Sequence, residues 1–418
     1  MVQKSCNGHS SRVPMAMRRF VRGLASRAPP IPPGSATAAV HADSHVPFST
    51  DFDVSPPLSL STTFTCPEDG EGHVYSRISN PTRDRVEALL GAIESSSSSL
   101  AHAVLYSSGS AATFGALARL LPRRVAIAGG YHGTHNVLSQ LQRISGGALC
   151  ETTPLPSPSG VGASPLRAGD VLWLETPRNP DCNVSDIAAY VEAAKAVGGL
   201  RVVVDGTFAP PPLQRPLSLG ADMVMHSTTK ALSGHSDALG GALCVRDASL
   251  AGELRTDRTA LGSTPGAMEV WLLQRSLRTL HVRVQRQSAT ASALAAWLHA
   301  ATDGSQPSHP LNGHVLSVRH PSLPSDPSHV VAAAQMQGGY GGVLAIELTS
   351  EAAARALPAA LSLFRDATSL GGVESLIEWR RKYDDAVSPR LLRLSVGMEE
   401  VEHLQADLQR AITQVSIE

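Results

Sequence analysis

Paired cysteines, long hydrophobic runs and a charge excess of either sign are all lacking in this sequence of 418 residues. Lysine and arginine together number 35, and aspartate and glutamate 36. The chain therefore has no basic field of the kind that attracts nucleic acid or a membrane surface. No apolar stretch approaches the roughly 20 uninterrupted residues that a membrane-spanning helix needs. We expect a soluble globular protein of two or three domains that binds neither nucleic acid nor membrane.

The cysteines are too scattered to form a disulfide framework or a zinc site, because no CxxC pair occurs. There are five of them: Cys6, Cys66, Cys150, Cys182 and Cys244. Two phosphate-binding signatures, Walker A and GxGxxG, are also missing. We expect reduced, structural thiols in an intracellular compartment, and no bound metal.

Residues 1–40 differ in composition from the rest of the chain. They hold several arginines and serines, and the first acidic residue is Asp43. Two interpretations stay open, an amphipathic mitochondrial transit peptide and a disordered extension. Both leave residues 1–40 outside the fold, and residues 41–70 suit an extended N-terminal arm. We expect a cytoplasmic protein, with the mitochondrial matrix as the alternative.

Strand-like and helical segments alternate over residues 71–264. Val171–Leu174 and Arg201–Val204 are short apolar runs of the kind that form buried parallel strands, and Val184–Val197 between them has helical periodicity. This alternation predicts an α/β domain built on a parallel sheet.

The pattern changes near residue 265. A long helical pattern covers Met268–Leu298 and is followed by a stretch rich in proline, serine and histidine. The chain closes with a predicted strand, Leu391–Val396, and a predicted helix, Glu400–Val415. We therefore expect a second, smaller α+β domain over residues 265–418.

Polar side chains follow two of the predicted strands. Asp205 ends one apolar run, and Lys230 comes a few residues after another, Met223–Met225. Ligands bind at the carboxyl ends of parallel strands, so both side chains would face one crevice. A lysine with a lowered pKa can form a Schiff base with pyridoxal phosphate, whose ring nitrogen needs an acidic partner. The competing interpretation is an aspartate that caps a turn and a lysine in solvent.

Hydroxyls and small residues near these two groups could bind a phosphate. Ser227 and Thr229 precede the lysine, and Gly109 and Ser110 begin a predicted helix. The amides at a helix start favour an anion, although an ordinary N-cap has the same composition. Tyr131 follows a predicted strand, where it could stack on a planar ring or simply pack.

Ordered motifs covering about residues 41–418 resemble one enzyme family. They are Tyr75–Arg83, Glu175–Pro180, Val203–Ala209, His226–Asp237, Ser369–Leu376 and Arg393–Gly397. The family is the Cys/Met-metabolism, or trans-sulfuration, group of pyridoxal-phosphate enzymes, which includes the cystathionine γ-synthases, cystathionine γ- and β-lyases and methionine γ-lyase. The resemblance implies the type I, aspartate-aminotransferase-like α/β fold. In that fold a large cofactor domain with a parallel or mixed sheet is joined to a smaller C-terminal α+β domain.

The resemblance also implies roles for the residues around the cofactor, pyridoxal 5'-phosphate. Lys230 would be the Schiff-base lysine and would also shuttle protons. Asp205 would be the partner of the ring nitrogen, and Asn179 the partner of the ring hydroxyl. Tyr131 would stack on the ring and is a candidate base. The implied phosphate ligands are Gly109, Ser110, Ser227 and Thr229.

Further roles implied by the family concern the substrate and a second subunit. Arg393 would hold the α-carboxylate of a sulfur amino acid, and Ser369 would lie beside it. Tyr75 and Arg77 would reach the phosphate of a neighbouring subunit. The resemblance therefore implies a homodimer or homotetramer with shared active sites.

The substrate side of the expected site departs from the family pattern. Asn136 stands where synthases and γ-lyases have an arginine for the distal carboxylate, and Gly133 stands where methionine γ-lyases have a cysteine. Thr368 replaces a common acidic residue, and Ile377–Tyr383 replaces a Pro–Met–Thr–His pattern. A cation of this last segment, Arg380, Arg381 or Lys382, could replace the missing arginine. The favoured interpretation is instead a solvated basic run.

These observations favour a carbon–sulfur lyase that acts on cystathionine or a related thioether. The alternative within the family is γ-replacement, in which cysteine is joined to an acylated homoserine. A third interpretation is an inactive pseudo-enzyme that keeps the cofactor. Against it stands the presence of Lys230, Asp205, Tyr131 and Arg393, which a binding module does not require.

Overall fold

The computed structural model describes residues 31–44, 46, 54–65, 72–302 and 306–416. The first described helix, α1 (Ala36–His41), lies within the segment that was expected to be outside the fold. Ala38 and Ala39 are buried, and the Gly34 amide donates to the Ala92 carbonyl at 2.8 Å. The packed part of the chain therefore includes residues before 40. Residues 1–30 of the predicted transit peptide or extension lie outside the described residues.

A seven-stranded mixed sheet forms the larger domain. Its strands are β1 (His102–Tyr106), β2 (Arg124–Ile127), β3 (Glu151–Pro154), β4 (Val171–Glu175), β5 (Arg201–Asp205), β6 (Met223–Ser227) and β7 (Gly241–Val245). The spatial order is β1-β7-β6-β5-β4-β2-β3. Strand β7 is antiparallel to both of its neighbours, and all other pairs are parallel. The prediction of a large α/β domain with a parallel or mixed sheet is confirmed.

Helices cover both faces of this sheet, as its apolar strands require. They are α2 (Pro81–Glu94), α3 (Gly109–Leu120), α4 (His132–Ile144), α5 (Ile187–Val197), α6 (Ala248–Leu261) and α7 (Ala267–Leu277). Helices α3, α4 and α6 pack on one face, whereas α2, α5 and α7 pack on the other. Asn80 caps the N-terminus of α2, where its side-chain oxygen accepts a hydrogen bond from the Thr82 amide at 2.9 Å, and Pro81 occupies the first turn.

A five-stranded sheet forms the smaller domain. Its strands are β8 (Val315–Arg319), β9 (Val343–Leu348), β10 (Arg365–Asp366), β11 (Leu376–Trp379) and β12 (Leu391–Ser395), in the order β10-β11-β12-β9-β8. The helices of this domain are α8 (Leu280–Ala300), α9 (His329–Gln335), α10 (Glu351–Ala360) and α11 (Val401–Val415). Helices α8, α10 and α11 share one apolar core with the sheet. The expected smaller α+β domain is present.

The long helical pattern after residue 265 forms two helices rather than one. Helix α7 ends at Leu277 and α8 begins at Leu280. The buried Arg283 guanidinium donates to the Ser276 carbonyl at 2.8 Å and to the Ala231 carbonyl at 2.7 Å. Carbonyls at a helix end need partners other than the helix itself, and Arg283 supplies one. Hydrophobic periodicity continues across such a break, which is why the pattern does not reveal it.

A buried carboxylate joins α2 to α6 and β1. Glu87 accepts Nε of Arg255 at 2.8 Å, Nη1 of Arg258 at 2.5 Å and the Leu105 amide at 3.0 Å. Burial alone would raise the pKa of Glu87, but the two guanidinium groups and the amide outweigh it and lower the pKa below the ordinary value of 4.5. The carboxylate therefore stabilises the fold in its charged form.

We expect Glu87→Leu to lower the free energy of unfolding by about 3–5 kcal/mol, because Arg258 would stay buried without its anion. The measurement is urea-induced unfolding at pH 7. Glu192→Ala, which removes an exposed ion pair with Lys195, is the control and should change stability by under about 1 kcal/mol. Because the folded-state pKa of Glu87 is depressed, its contribution should shrink as the pH falls below about 4. If the difference in unfolding free energy between the wild type and Glu87→Leu grew as the pH fell, this account would be contradicted.

Among the described helices, none is both long and apolar enough to cross a membrane.

Candidate active site

A cavity of about 460 Å³ lies at the carboxyl ends of the central strands, where the two domains meet. Glu175, Asp205 and Ser227 are the last residues of β4, β5 and β6, and all three line it. Parallel pairing sets Glu175 beside Asp205. From the smaller domain, β11 and β12 bring the facing residues Glu378 and Arg393 to the same cavity. Loop and strand ends of both sheets thus build one site.

Lys230 reaches this cavity from the turn after β6. Its Nζ lies 2.7 Å from Oγ of Ser369, a residue whose backbone φ of 92° falls in the left-handed region. Burial, with a smaller contribution from the Arg393 charge, lowers the pKa of Lys230 to about 8, although Glu378 opposes the shift. The amine is therefore neutral in a useful fraction of molecules near neutral pH, as a nucleophile or base must be.

Asp205 is buried at the end of β5, and its Oδ1 is held by one neighbour. The Thr207 amide donates to Oδ1 at 3.0 Å and the Thr207 hydroxyl at 2.5 Å. No described residue donates to Oδ2. Burial raises the pKa of Asp205, so a cation placed at Oδ2 would stabilise the carboxylate form.

The first turn of α3 faces the same cavity. Ser108 begins the helix by accepting the Ala111 amide at 3.0 Å, and the following amides of Gly109 and Ser110 have no partners within the helix because of their position. Gly109 lies against Ser227, since a Cβ added to the glycine would be 3.0 Å from Cβ of Ser227. The Thr229 hydroxyl is engaged with the Gly240 backbone at 3.1 and 3.2 Å. The free helix amides suit a phosphate, whereas the Thr229 hydroxyl already donates to the Gly240 carbonyl.

Arg393 is buried in the opposite wall, where it is fixed by three groups. Its Nη1 donates to Oδ1 of Asn179 at 2.8 Å, and its Nη2 donates to the Ser369 carbonyl at 2.9 Å and to Oε2 of Glu378 at 2.7 Å. Burial lowers the pKa of the Arg393 guanidinium, and Glu378 opposes that shift. A planar guanidinium binds a carboxylate through two parallel hydrogen bonds, and here an incoming carboxylate would replace one of the two acceptors at Nη2.

Three comparisons agree on the kind of protein that this cavity belongs to. Residues 36–413 match the model of the family described as Cys/Met metabolism PLP-dependent enzyme. This chain belongs to that family. Its cofactor is therefore pyridoxal phosphate (PLP), and its substrate is an amino acid, a small molecule.

Named relatives cover almost the whole length of this family member. A putative cystathionine γ-lyase of Streptomyces coelicolor is 37% identical over 92% of this chain and 95% of its own. A cystathionine γ-synthase of Mycobacterium tuberculosis is 38% identical over 91% and 97%. The solved structure of a cystathionine γ-synthase from Xanthomonas oryzae pv. oryzae, in complex with aminoacrylate and cysteine, has a TM-score of 0.82 at 34% identity and covers 93% of this chain and 100% of its own.

The donor set of the cavity fits the PLP of this family. When bound, PLP supplies an aldehyde that bonds to an amine and a ring that withdraws electrons from the carbon next to it. Lys230 would hold the aldehyde carbon, and Oδ2 of Asp205, which lacks a described donor, would hold the protonated ring nitrogen. The first turn of α3, with Ser227, would hold the phosphate.

The other sequence-predicted residues divide between the cavity and the surface. Tyr131, which precedes α4, lines the cavity and is 43% exposed, so its ring is open to the cofactor space. Tyr75 and Arg77 do not line the cavity of their own chain. Both are exposed, with the Arg77 guanidinium carbon 5.3 Å from the centre of the Tyr75 ring.

One residue of the basic run that was expected to be solvated, Arg380, is buried instead. Arg380 is only 5% exposed and lines the cavity, so the solvated-run interpretation is wrong for this residue. Its charge is matched by Glu378, which the sequence pattern alone does not single out. Lys382 is exposed, and Arg381 donates to the Asp385 and Val387 carbonyls outside the cavity. Asn136 is exposed on α4 and does not line the cavity.

Glu175 is a cavity residue that the sequence analysis did not assign a role. Its carboxylate accepts the Tyr131 amide at 2.8 Å and the Asn179 amide at 2.7 Å. Burial raises the pKa of Glu175, and the nearby Asp205 charge raises it further. It fixes the backbones of two expected site residues. Its position at the end of β4, like that of Asp205 at the end of β5, is the signal that could have revealed it.

The lowered pKa of Lys230 predicts how the apoprotein takes up PLP. The neutral amine is the reactive form, so the rate should rise up to about pH 8 and level off by about pH 9. The measurement is the growth of visible absorbance after mixing apoprotein with PLP at each pH. Nα-acetyl-lysine, with an ordinary pKa near about 10.4, is the control and should keep gaining rate above pH 9. A protein profile parallel to that of the free amino acid would contradict the lowered pKa.

Proposed function

We propose that this enzyme is a carbon–sulfur lyase that acts on cystathionine or a related sulfur amino acid by β- or γ-elimination. The observation that carries the proposal is the placement of Lys230 Nζ beside Ser369 and near the buried Arg393. An amine of lowered pKa would thus stand next to a carboxylate-binding guanidinium. That pairing suits an α-amino acid, whose amine and carboxylate lie on one carbon.

Each site residue has a role in this proposal. Arg393 binds the α-carboxylate and sets the orientation of the Cα–H bond. Lys230, as the neutral amine, takes the Cα proton and returns it at a later stage, for which a pKa near the working pH is favourable. Tyr131 would pack on the cofactor ring, and its hydroxyl is a second candidate base. Asn179 accepts a hydrogen bond from Arg393 at 2.8 Å and would be the partner of the ring hydroxyl.

A second activity, γ-replacement on an acylated homoserine, has its own support. The Mycobacterium tuberculosis relative, at 38% identity, is named a cystathionine γ-synthase. Elimination and replacement share their first proton transfers and differ in whether a thiol enters the site. The described residues of the cavity serve both reactions. The arginine missing at Asn136 is shared by synthases and γ-lyases, so its loss does not separate these two activities.

We also propose an assembly of at least two chains that share active sites. Tyr75 and Arg77 are exposed away from their own cavity, which is the placement expected of side chains that complete a partner's site. A homodimer meets this requirement, and a homotetramer would contain two such pairs. We propose the cytoplasm as the location, in keeping with the free and buried Cys150, Cys182 and Cys244.

The test is the identification of products by mass spectrometry after incubation of PLP-loaded protein with cystathionine. Formation of 2-oxobutyrate would establish γ-elimination, and formation of pyruvate would establish β-elimination. Consumption of acyl-homoserine only in the presence of cysteine would instead establish the synthase. Stoichiometric PLP with no turnover of either substrate would overturn both activities and support the pseudo-enzyme.

A further inference from the structure

Arg380 is a buried cation that the reaction described above does not use. It begins the short 3-10 turn Arg380–Lys382, directly after β11, and its side chain lines the active-site cavity. Only 5% of the residue is exposed. Its described partner is Oε2 of Glu378, at 2.7 Å from Nη1. The residue is therefore largely buried, and it borders the space in which a substrate would lie.

The hydrogen-bonding capacity of this guanidinium is not filled by the protein. Nε of Arg380 is buried and has no hydrogen-bond partner among the described residues. A guanidinium has five N–H donors, and a buried donor without an acceptor destabilises the fold. The one described hydrogen bond of this side chain runs from Nη1 to Glu378. Because Arg380 also lines the cavity, its remaining N–H groups are the donors that a ligand could use.

The charges around Arg380 also favour an anion. Glu378 Oε2 is shared by Arg380 and Arg393, both at 2.7 Å, so one carboxylate faces two guanidinium groups. Arg393 has further acceptors in Asn179 and the Ser369 carbonyl, whereas no other acceptor for Arg380 is found among the described residues. Of the two guanidinium groups, Arg380 is thus the one with fewer described acceptors.

We infer that Arg380 binds a second anionic group of the substrate, beyond the α-carboxylate. Resting on the proposed function, this assigns the substrate class as amino acids with a second carboxylate, such as cystathionine or an acid-terminated ester of homoserine. Amino acids with a neutral side chain, such as methionine, would lack this contact. The Arg380–Glu378 pair then acts as a specificity-determining element of this chain.

The test compares two matched pairs of substrates in three proteins. Cystathionine and methionine are thioethers with and without a second carboxylate, and O-succinylhomoserine and O-acetylhomoserine are esters that differ in the same way. The proteins are the wild type, Arg380→Met and the control Arg381→Met. Arg381 lies one residue away and bonds to carbonyls outside the cavity. The first pair tests whether the second carboxylate belongs to a thioether substrate. The second pair tests whether it belongs to an ester substrate.

Arg380→Met should raise KM for the dicarboxylic member of at least one pair by about 10- to 100-fold, because a buried charged hydrogen bond is lost. The neutral member and Arg381→Met should change less than about twofold. Arg380→Lys should restore part of the loss, since it keeps the charge without the planar donors. An equal loss for both members would place Arg380 at the α-carboxylate, and no loss would make it purely structural. Either result overturns the assignment.

A binding measurement separates this inference from the proposed reaction. In PLP-loaded Lys230→Ala, which is expected not to turn over, calorimetry gives Kd for cystathionine and for methionine. Adding Arg380→Met should weaken cystathionine binding about 10-fold or more and leave methionine binding unchanged. That result would support the anion site even if the lyase proposal failed. The inference would be overturned if adding Arg380→Met changed the Kd of neither cystathionine nor methionine. It would also be overturned if Lys230→Ala alone bound neither compound.

Discussion

Lys230→Ala should lower turnover by at least about 10,000-fold, the upper range for one positioned proton-transfer group. The variant removes both the amine that would bond to PLP and the base that would take the Cα proton. The fold should persist, because Lys230 lines a cavity and its one hydrogen bond to a side chain is to Ser369. The measurements are turnover of cystathionine and the visible spectrum of the PLP-loaded protein.

Lys195→Ala is the matched control for this prediction. Lys195 lies on the exposed face of α5, paired with Glu192 at 2.8 Å, so its loss should leave turnover and spectrum unchanged. When both proteins are free of PLP, the Lys230 variant should unfold at the same urea concentration as the wild type. A variant that kept the wild-type visible band, or more than about a hundredth of the turnover, would exclude Lys230 as the reactive amine.

Arg393→Leu should lower kcat/KM by about 100- to 1,000-fold, because the α-carboxylate would lose its buried, bidentate partner. The effect should appear for every amino acid substrate, since all share this carboxylate. Binding of PLP should remain, because the groups expected to hold the cofactor lie mainly in the larger domain. The measurements are kcat/KM for two substrates and the visible absorbance at saturating PLP.

Arg390→Leu tests whether the effect is specific to the cavity. Arg390 precedes β12, lies three residues from Arg393 and does not line the cavity. Its replacement should change kcat/KM by less than about threefold. If Arg393→Leu affected only substrates with a second carboxylate, the assignments of Arg393 and Arg380 would have to be exchanged.

The central strands of the larger domain are predictable from sequence because they are apolar and buried on both faces. Val171–Leu174 and Arg201–Val204 fall within β4 and β5 as observed. Strand β3 (Glu151–Pro154) gives no such signal, since it lies at the sheet edge and pairs only with β2. Its formation depends on a neighbouring strand rather than on its own hydrophobic residues. Local pattern thus predicts the centre of the sheet better than its edge.

The cofactor wall of the site is equally predictable, because each group stands at the end of a strand or the start of a helix. Asp205, Lys230 and the first turn of α3 meet in one cavity for that reason. The opposite wall depends on long-range pairing. Glu378 faces Arg393 only through the register of β11 with β12, which no local pattern records. Arg380 resembled a surface charge for the same reason, since its burial follows from that pairing.

The most direct test of the central claim is to find which lysine bonds to PLP. The chain has only four lysines, at positions 4, 195, 230 and 382, so reduction of the PLP-loaded protein with borohydride and peptide mapping by mass spectrometry gives an unambiguous assignment. We predict one phosphopyridoxyl group per chain, on Lys230. A label on another lysine, or no label at saturating PLP, would contradict the account of this site.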